Sequence, residues 1–121
     1  QQAIGFSALK GDFLQDDVRR FLEANKTHDM SARHNWRVEN RYHFGGYAKA
    51  SDELINFIRT FKTHYGVDLD AVYTGKMFYA LYDMIRNGKF GGKTVVAVHT
   101  GGLQGIRGFN ERFGNLIHQV G

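Results

Sequence analysis

The chain of 121 residues contains no cysteine and no proline. Lack of cysteine excludes disulfides, thiolate-bound metals and cysteine nucleophiles, and it fits a cytoplasmic protein. With no proline, no internal repeat and no low-complexity stretch, nothing marks a domain boundary, so residues 1–121 read as a single segment. No apolar run approaches the roughly 20 residues of a membrane span, and no membrane association is expected. The amino terminus, QQAIGFSALKGD, lacks the basic start and long apolar stretch of a secretory leader. Charge is unremarkable too: 16 basic residues against 12 acidic ones give a net +4. Arg19, Arg20, Arg37, Arg41, Lys62, Lys89, Lys93, Arg107 and Arg112 are scattered rather than clustered. That pattern describes a solvated surface and argues against a nucleic-acid partner. An initiating methionine is absent as well, and the first residues already alternate like a strand, which reads as part of a longer protein.

What is present has α/β periodicity. Residues 3–9 alternate as a short strand. Asp12, with Gln15 three residues later, has the form of a capping box before the apolar stripe Phe13, Leu14, Val18, Phe21 and Leu22, predicting a helix over 13–24. Residues 25–35 read as a polar connection. Trp36, Val38 and Tyr42 predict a second strand ending at Phe44-Gly45-Gly46. Ser51 is placed to cap a helix whose stripe is Leu54, Ile55, Ile58, Phe61 and Tyr65, with Gly66 as its stop. A third helix is expected from Gly75 to Asn87, carrying Met77, Phe78, Leu81, Met84 and Ile85. The run at 94–99 reads as a buried strand, followed by a turn rich in glycine (Gly101, Gly102, Gly105, Gly108), and 109–118 as a short terminal helix. Strands separated by helices imply an α/β fold with parallel pairing.

Ligands of open α/β sheets collect beyond the carboxyl ends of strands, which directs attention to His99–Gly102. The spacing GGxxGxxG is not the dinucleotide fingerprint, and no Walker lysine follows, so structural turn and ligand loop are both open. Thr100 places a hydroxyl at that strand end. The six histidines (His28, His34, His43, His64, His99 and His118) form no pair with zinc spacing, so no metal is expected, and His99 is read as packing or hydrogen-bonding. Tyr47 follows a double glycine and Tyr73 precedes the third helix. Such tyrosines are packing groups with satisfied hydroxyls, or acid, base or nucleophile when their pKa falls. Lys76, a turn inside that helix, reads as a solvated charge.

Taken together, HFGGYAK (43–49), VYTGK (72–76) with the following YALYDMIRNGKF (79–90), and VVAVHTGGLQG (95–105) resemble the pyridoxal-phosphate enzymes comprising 1-aminocyclopropane-1-carboxylate (ACC) deaminase and D-cysteine desulfhydrase. The resemblance extends from SALKGDFL to RGFNERFG. It implies the fold type II, tryptophan-synthase-β-like architecture, an open, mainly parallel sheet flanked by helices. It implies that the chain is the C-terminal part of the larger cofactor-binding domain of a longer enzyme, commonly a homodimer, with a small amino acid as substrate. The Schiff-base lysine of the family lies upstream of the matching region, so the segment alone is expected to be inactive, and Lys10, Lys49 and Lys76 are not assigned that role. Tyr73 matches the tyrosine facing the substrate, Tyr47 a second active-site tyrosine, and Gly101 and Gly102 the backbone bordering the pyridine ring. Thr74 and Thr100 stand where deaminases proper tend to carry glutamate and leucine, as in the D-cysteine desulfhydrase-like members.

A carboxylate near the ring nitrogen would hold a proton there and strengthen the ring as an electron sink, whereas a threonine shares only a hydrogen bond. A ring closer to neutral suits loss of a good β-leaving group. The expected activity is therefore β-elimination of D-cysteine to pyruvate, hydrogen sulfide and ammonia. ACC deamination is the alternative within the family, and a non-catalytic α/β binding module the alternative outside it.

Overall fold

The computed structural model describes residues 1–25 and 35–117. Its elements run β1 (Ala3–Phe6), α1 (Leu14–Ala24), β2 (Trp36–Glu39), α2 (Asp52–Tyr65), α3 (Thr74–Arg86) and α4 (Gln104–Phe113). β1 and β2 pair in parallel, Ala3 opposite Trp36 through Phe6 opposite Glu39, so β1–α1–β2 is a crossover unit of the predicted kind. Most of the polar connection expected at 25–35 lies outside the described residues, as do His28, His34 and His118.

Helix α2 follows its local signals. The Ser51 hydroxyl accepts the N–H of Leu54 at 3.2 Å, Asp52 and Glu53 occupy the positive end of the helix dipole, and Gly66 closes the helix at φ 68°. The face carrying Leu54, Ile55, Ile58 and Phe61 is buried with Leu69, Ala71, Ile106, Phe109 and Ile117 in the principal core. Each large aliphatic side chain so buried contributes about 1.5–3 kcal/mol. Tyr65, by contrast, lies at the edge with its hydroxyl accepting from Tyr82 at 2.8 Å. On α3, Leu81 and Met84 are buried, while Ile85 of the predicted stripe is exposed.

Four expectations are corrected. The capping box at Asp12 does not form: Phe13 occupies the cap position without a side-chain bond, and Gln15 Oε1 accepts the N–H of Val38 at 3.2 Å. Gln15 is thus used to tie α1 to the sheet. β2 ends at Glu39 rather than continuing to Phe44, because the Glu39 carboxylate accepts the N–H of Arg41 at 3.1 Å and turns the chain. Residues 94–99 are not a strand, and Val95, Val96 and Val98 are exposed, Val96 by 82%. An apolar run becomes a strand only where a neighbour completes its hydrogen-bond ladder, and no such neighbour stands beside it among the described residues. The final helix begins at Gln104 and absorbs Gly105 and Gly108, so only Gly101 and Gly102 form the turn, at φ 87° and 80°.

Candidate functional site

The amino end of α3 is built on Asp70, a residue not singled out by motif. Its carboxylate accepts four hydrogen bonds: Oδ2 from the N–H of Val72 (2.7 Å) and Tyr73 (2.8 Å), Oδ1 from the N–H of Thr74 (2.8 Å) and from the Thr74 hydroxyl (2.6 Å). Its own N–H donates to that hydroxyl at 2.9 Å and its carbonyl accepts the N–H of Gly75 at 2.8 Å. Asp70 thereby satisfies the first two N–H groups of the helix, those of Thr74 and Gly75, and both Asp70 and Thr74 are 1% exposed. An aspartate three residues ahead of the helix cap is the sequence signal that could have found it.

This cap aims the side chain of Tyr73 outward. Tyr73 and Tyr47, read as catalytic, are brought together: ring centroids 6.1 Å apart, inclined at 63°, with the Tyr73 hydroxyl donating to that of Tyr47 over a long 3.3 Å. Both are about half exposed (52% and 56%). The hydrogen bond to Tyr47, reinforced by desolvation and by the negative charges of a Tyr47 phenolate and of Asp70, raises the pKa of Tyr73 above its ordinary value. Tyr73 is therefore a protonated phenol at neutral pH, suited to donate a proton rather than to act as base or nucleophile.

The four residues read as cofactor contacts are divided. Gly101 and Gly102 form a left-handed turn; a Cβ on Gly101 would meet nothing within 4 Å, and one on Gly102 would lie 3.8 Å from Asp70 Oδ1. Asp70 thus adjoins both the glycine pair and Tyr73. Thr100 is exposed. Thr74 is not: its hydroxyl both donates to and accepts from Asp70, leaving it no hydrogen for a ligand. His99 does hydrogen-bond, as expected. Nε2 must carry the proton, because it faces the Asp68 carbonyl at 2.9 Å, while Nδ1 accepts the N–H of Gly101 at 3.1 Å. The neutral imidazole therefore pins the glycine turn to the loop before Asp70.

Lys76 is corrected from a solvated charge to a buried one, 2% exposed. Its ammonium donates to the carbonyls of His43 (2.8 Å) and Gly46 (2.9 Å), and burial lowers its pKa against the opposing pull of Asp70. Elsewhere, a groove of about 300 Å³ between α2 and α3 is lined mainly by Phe57, Phe61, Tyr65, Tyr79 and Tyr82, and none of the predicted site residues lines it. Burial and the bond to Glu53 push Tyr79 up to about 12. Among the described residues no three histidines or carboxylates gather as a metal site, and no helix is long and apolar enough to cross a membrane.

Over 76 residues the chain is 41% identical to a protein of Pyrococcus horikoshii provisionally named 1-aminocyclopropane-1-carboxylate deaminase. That match covers 63% of this chain and 23% of the relative. A 1-aminocyclopropane-1-carboxylate deaminase of Pseudomonas syringae pv. syringae is 32% identical over 77 residues, again 63% of this chain and 23% of that one. The mitochondrial bifunctional D-cysteine desulfhydrase/1-aminocyclopropane-1-carboxylate deaminase of Arabidopsis thaliana is 36% identical over 63 residues, 50% of this chain and 16% of its own length. The chain is homologous to a segment of these enzymes. It spans about a quarter of the length of the first curated relatives it matches. No protein-family model matches the chain, and no solved structure matches it significantly.

Proposed function

We propose that this chain is the C-terminal segment of a pyridoxal-phosphate-dependent enzyme of fold type II that deaminates a small amino acid, with D-cysteine as the preferred substrate. The observation that carries this reading is the exposed Tyr47–Tyr73 pair, joined through Asp70 to an open glycine turn. The residues present fit a flat heteroaromatic ring: Gly101 and Gly102 offer a backbone surface unobstructed by side chains, with the exposed Thr100 hydroxyl beside it. When bound, the cofactor supplies an electron sink for negative charge developing on the substrate.

This chain's own residues would then divide the remaining work. Gly101, whose N–H His99 accepts, and Gly102 would border the ring. Tyr73 and Tyr47 would face the substrate as a coupled pair of phenols, the Tyr73 proton being donated to Tyr47 until a substrate group replaces it as acceptor. Thr100 would offer the ring nitrogen a shared hydrogen bond, not a charge. With Thr74 committed to Asp70, the substrate preference rests on Thr100 alone. A hydroxyl at the ring nitrogen suits departure of sulfide from the β-carbon. Opening an unactivated cyclopropane demands a stronger sink. The alternative, ACC deamination, is favoured by the names of the relatives. In this reading the active protein is cytoplasmic and homodimeric.

The test is to incubate the intact protein, supplied with pyridoxal phosphate, with D-cysteine or ACC and to measure 2-oxo acid and sulfide. Pyruvate and sulfide from D-cysteine with little product from ACC is the expected outcome. Product from ACC alone establishes the alternative, and product from neither returns the chain to a non-catalytic role.

A further inference from the structure

The loop carrying Tyr47 is folded against local preference. Phe44 and Ala48 both adopt left-handed backbone (φ 56° and 57°), which an L-residue enters only against steric resistance. Two turns follow one another: the N–H of Gly46 donates to the His43 carbonyl at 3.2 Å, and that of Lys49 to the Gly46 carbonyl at 3.1 Å. These are the same two carbonyls that receive the Lys76 ammonium from α3. Tyr47 lies between Gly46 and Lys49 and is itself half exposed, so little packing fixes its ring. Its one polar side-chain contact among the described residues is with Tyr73, the cap residue of α3, three residues before Lys76.

We infer that Lys76 is a positioning residue: by clamping both turn carbonyls of residues 43–49 to α3, it sets Tyr47 against Tyr73. Lys76 takes part in no ion pair among the described residues. Strained backbone persists only where its surroundings over-determine it, and here a buried ammonium bound to two carbonyls does so. Desolvation is the cost of this arrangement, which explains why a lysine and not an apolar residue of similar length is informative at this position. A methionine would fill the space but hold neither carbonyl. The catalytic meaning of the clamp rests on the function proposed above; the clamp itself does not.

The test follows the ring of Tyr73 by NMR in the intact protein, with tyrosine isotope-labelled, as pH is raised. Lys76→Met is expected to shift the Tyr73 titration toward that of an ordinary phenol, as Tyr47→Phe does. Lys76→Met placed in the Tyr47→Phe background should add no further shift. On the substrate that is turned over, Lys76→Met should lower kcat by about 10–100-fold with KM within about 2-fold, again with no added loss when Tyr47 is already phenylalanine. Should Lys76→Met fail to fold, Lys76→Gln, whose shorter amide reaches one carbonyl at most, is expected to shift Tyr73 in the same direction by less. An unchanged Tyr73 titration in the folded Lys76 variant, or a shift that persists in full without the Tyr47 hydroxyl, overturns the inference. Loss of the coupling with turnover untouched by Tyr47→Phe and Tyr73→Phe would instead leave the clamp standing and remove the proposed function.

Discussion

The Thr74 hydroxyl donates to Asp70 Oδ1 at 2.6 Å while accepting the N–H of that same residue at 2.9 Å. This reciprocal bond closes a buried cap around the start of α3, from which Tyr73 projects. Asp70→Ala leaves three backbone N–H groups and one hydroxyl without their acceptor. The expected loss is about 3–4 kcal/mol, less than the sum of four because water reaches some of the donors. Urea unfolding of the intact protein measures it, and a loss below about 1 kcal/mol would show that the cap is dispensable.

Thr74 and Thr100 should separate cleanly. Thr74→Val is expected to cost about 1–3 kcal/mol of stability and to leave the ratio of D-cysteine to ACC turnover unchanged. Thr100→Leu should do the reverse, sparing stability while moving that ratio away from D-cysteine. Parallel melting curves and product assays decide the matter, and a substrate shift from Thr74→Val would mean that its hydroxyl leaves Asp70 during catalysis.

Gly75 admits no side chain. A Cβ there would overlap the Asp70 carbonyl and approach Ile58 Cδ1 to 2.7 Å, and the backbone carbonyl cannot yield without breaking the cap. Gly75→Ala should therefore destabilise the protein by about 2–3 kcal/mol despite the higher helix propensity of alanine. Thermal unfolding of this single variant is sufficient; an unchanged or raised Tm would refute the packing argument.

Glu39 makes stability pH-dependent in acid. Hydrogen bonds from Arg41, at 2.7 and 2.9 Å, outweigh desolvation and, with Arg37, lower its pKa from 4.5 to about 2. The folded carboxylate holds protons less readily than the unfolded one, so this stabilisation is complete above pH 4.5 and lost as pH falls toward 2. Glu39→Gln should cost about 2 kcal/mol at neutral pH, with both arginines partly exposed to screening, and the difference from the parent should vanish near pH 2. Denaturant midpoints across that range provide the measurement.

Tyr73 should act through its proton. Tyr73→Phe is expected to lower kcat by about 10²-fold in the intact enzyme. Because the bond to Tyr47 raises the phenol's pKa, the alkaline limb that Tyr73 contributes should lie above that of an ordinary phenol and fall when Tyr47→Phe removes the bond. A loss of turnover near neutrality that Tyr73→Phe abolishes would show that the group works as a lowered-pKa phenolate instead.

Helix α2 was legible because its information is local: Ser51 caps, Gly66 stops, and a stripe at helical spacing buries one face whatever the partner. The resemblance singled out Tyr47 and Tyr73 separately, and the structure places their hydroxyls 3.3 Å apart. Three other features were not legible. Gln15 has capping spacing, but its amide found the N–H of Val38, 23 residues away, which no local pattern encodes. Val95–Val98 has the composition of a buried strand, yet strand formation is a property of a pair, and composition does not supply the neighbour. Lys76 has the position of a surface charge on α3, and only the path of residues 43–49 across that helix turns it inward. The sequence by itself thus determined that α1, α2 and α3 form, where α2 starts and stops, and which residue types are available for chemistry. Tertiary structure alone decided which polar atoms meet. Periodicity and capping act over a few residues, whereas the partners of Asp70, Lys76 and the two tyrosines depend on where distant backbone carbonyls and hydroxyls come to rest.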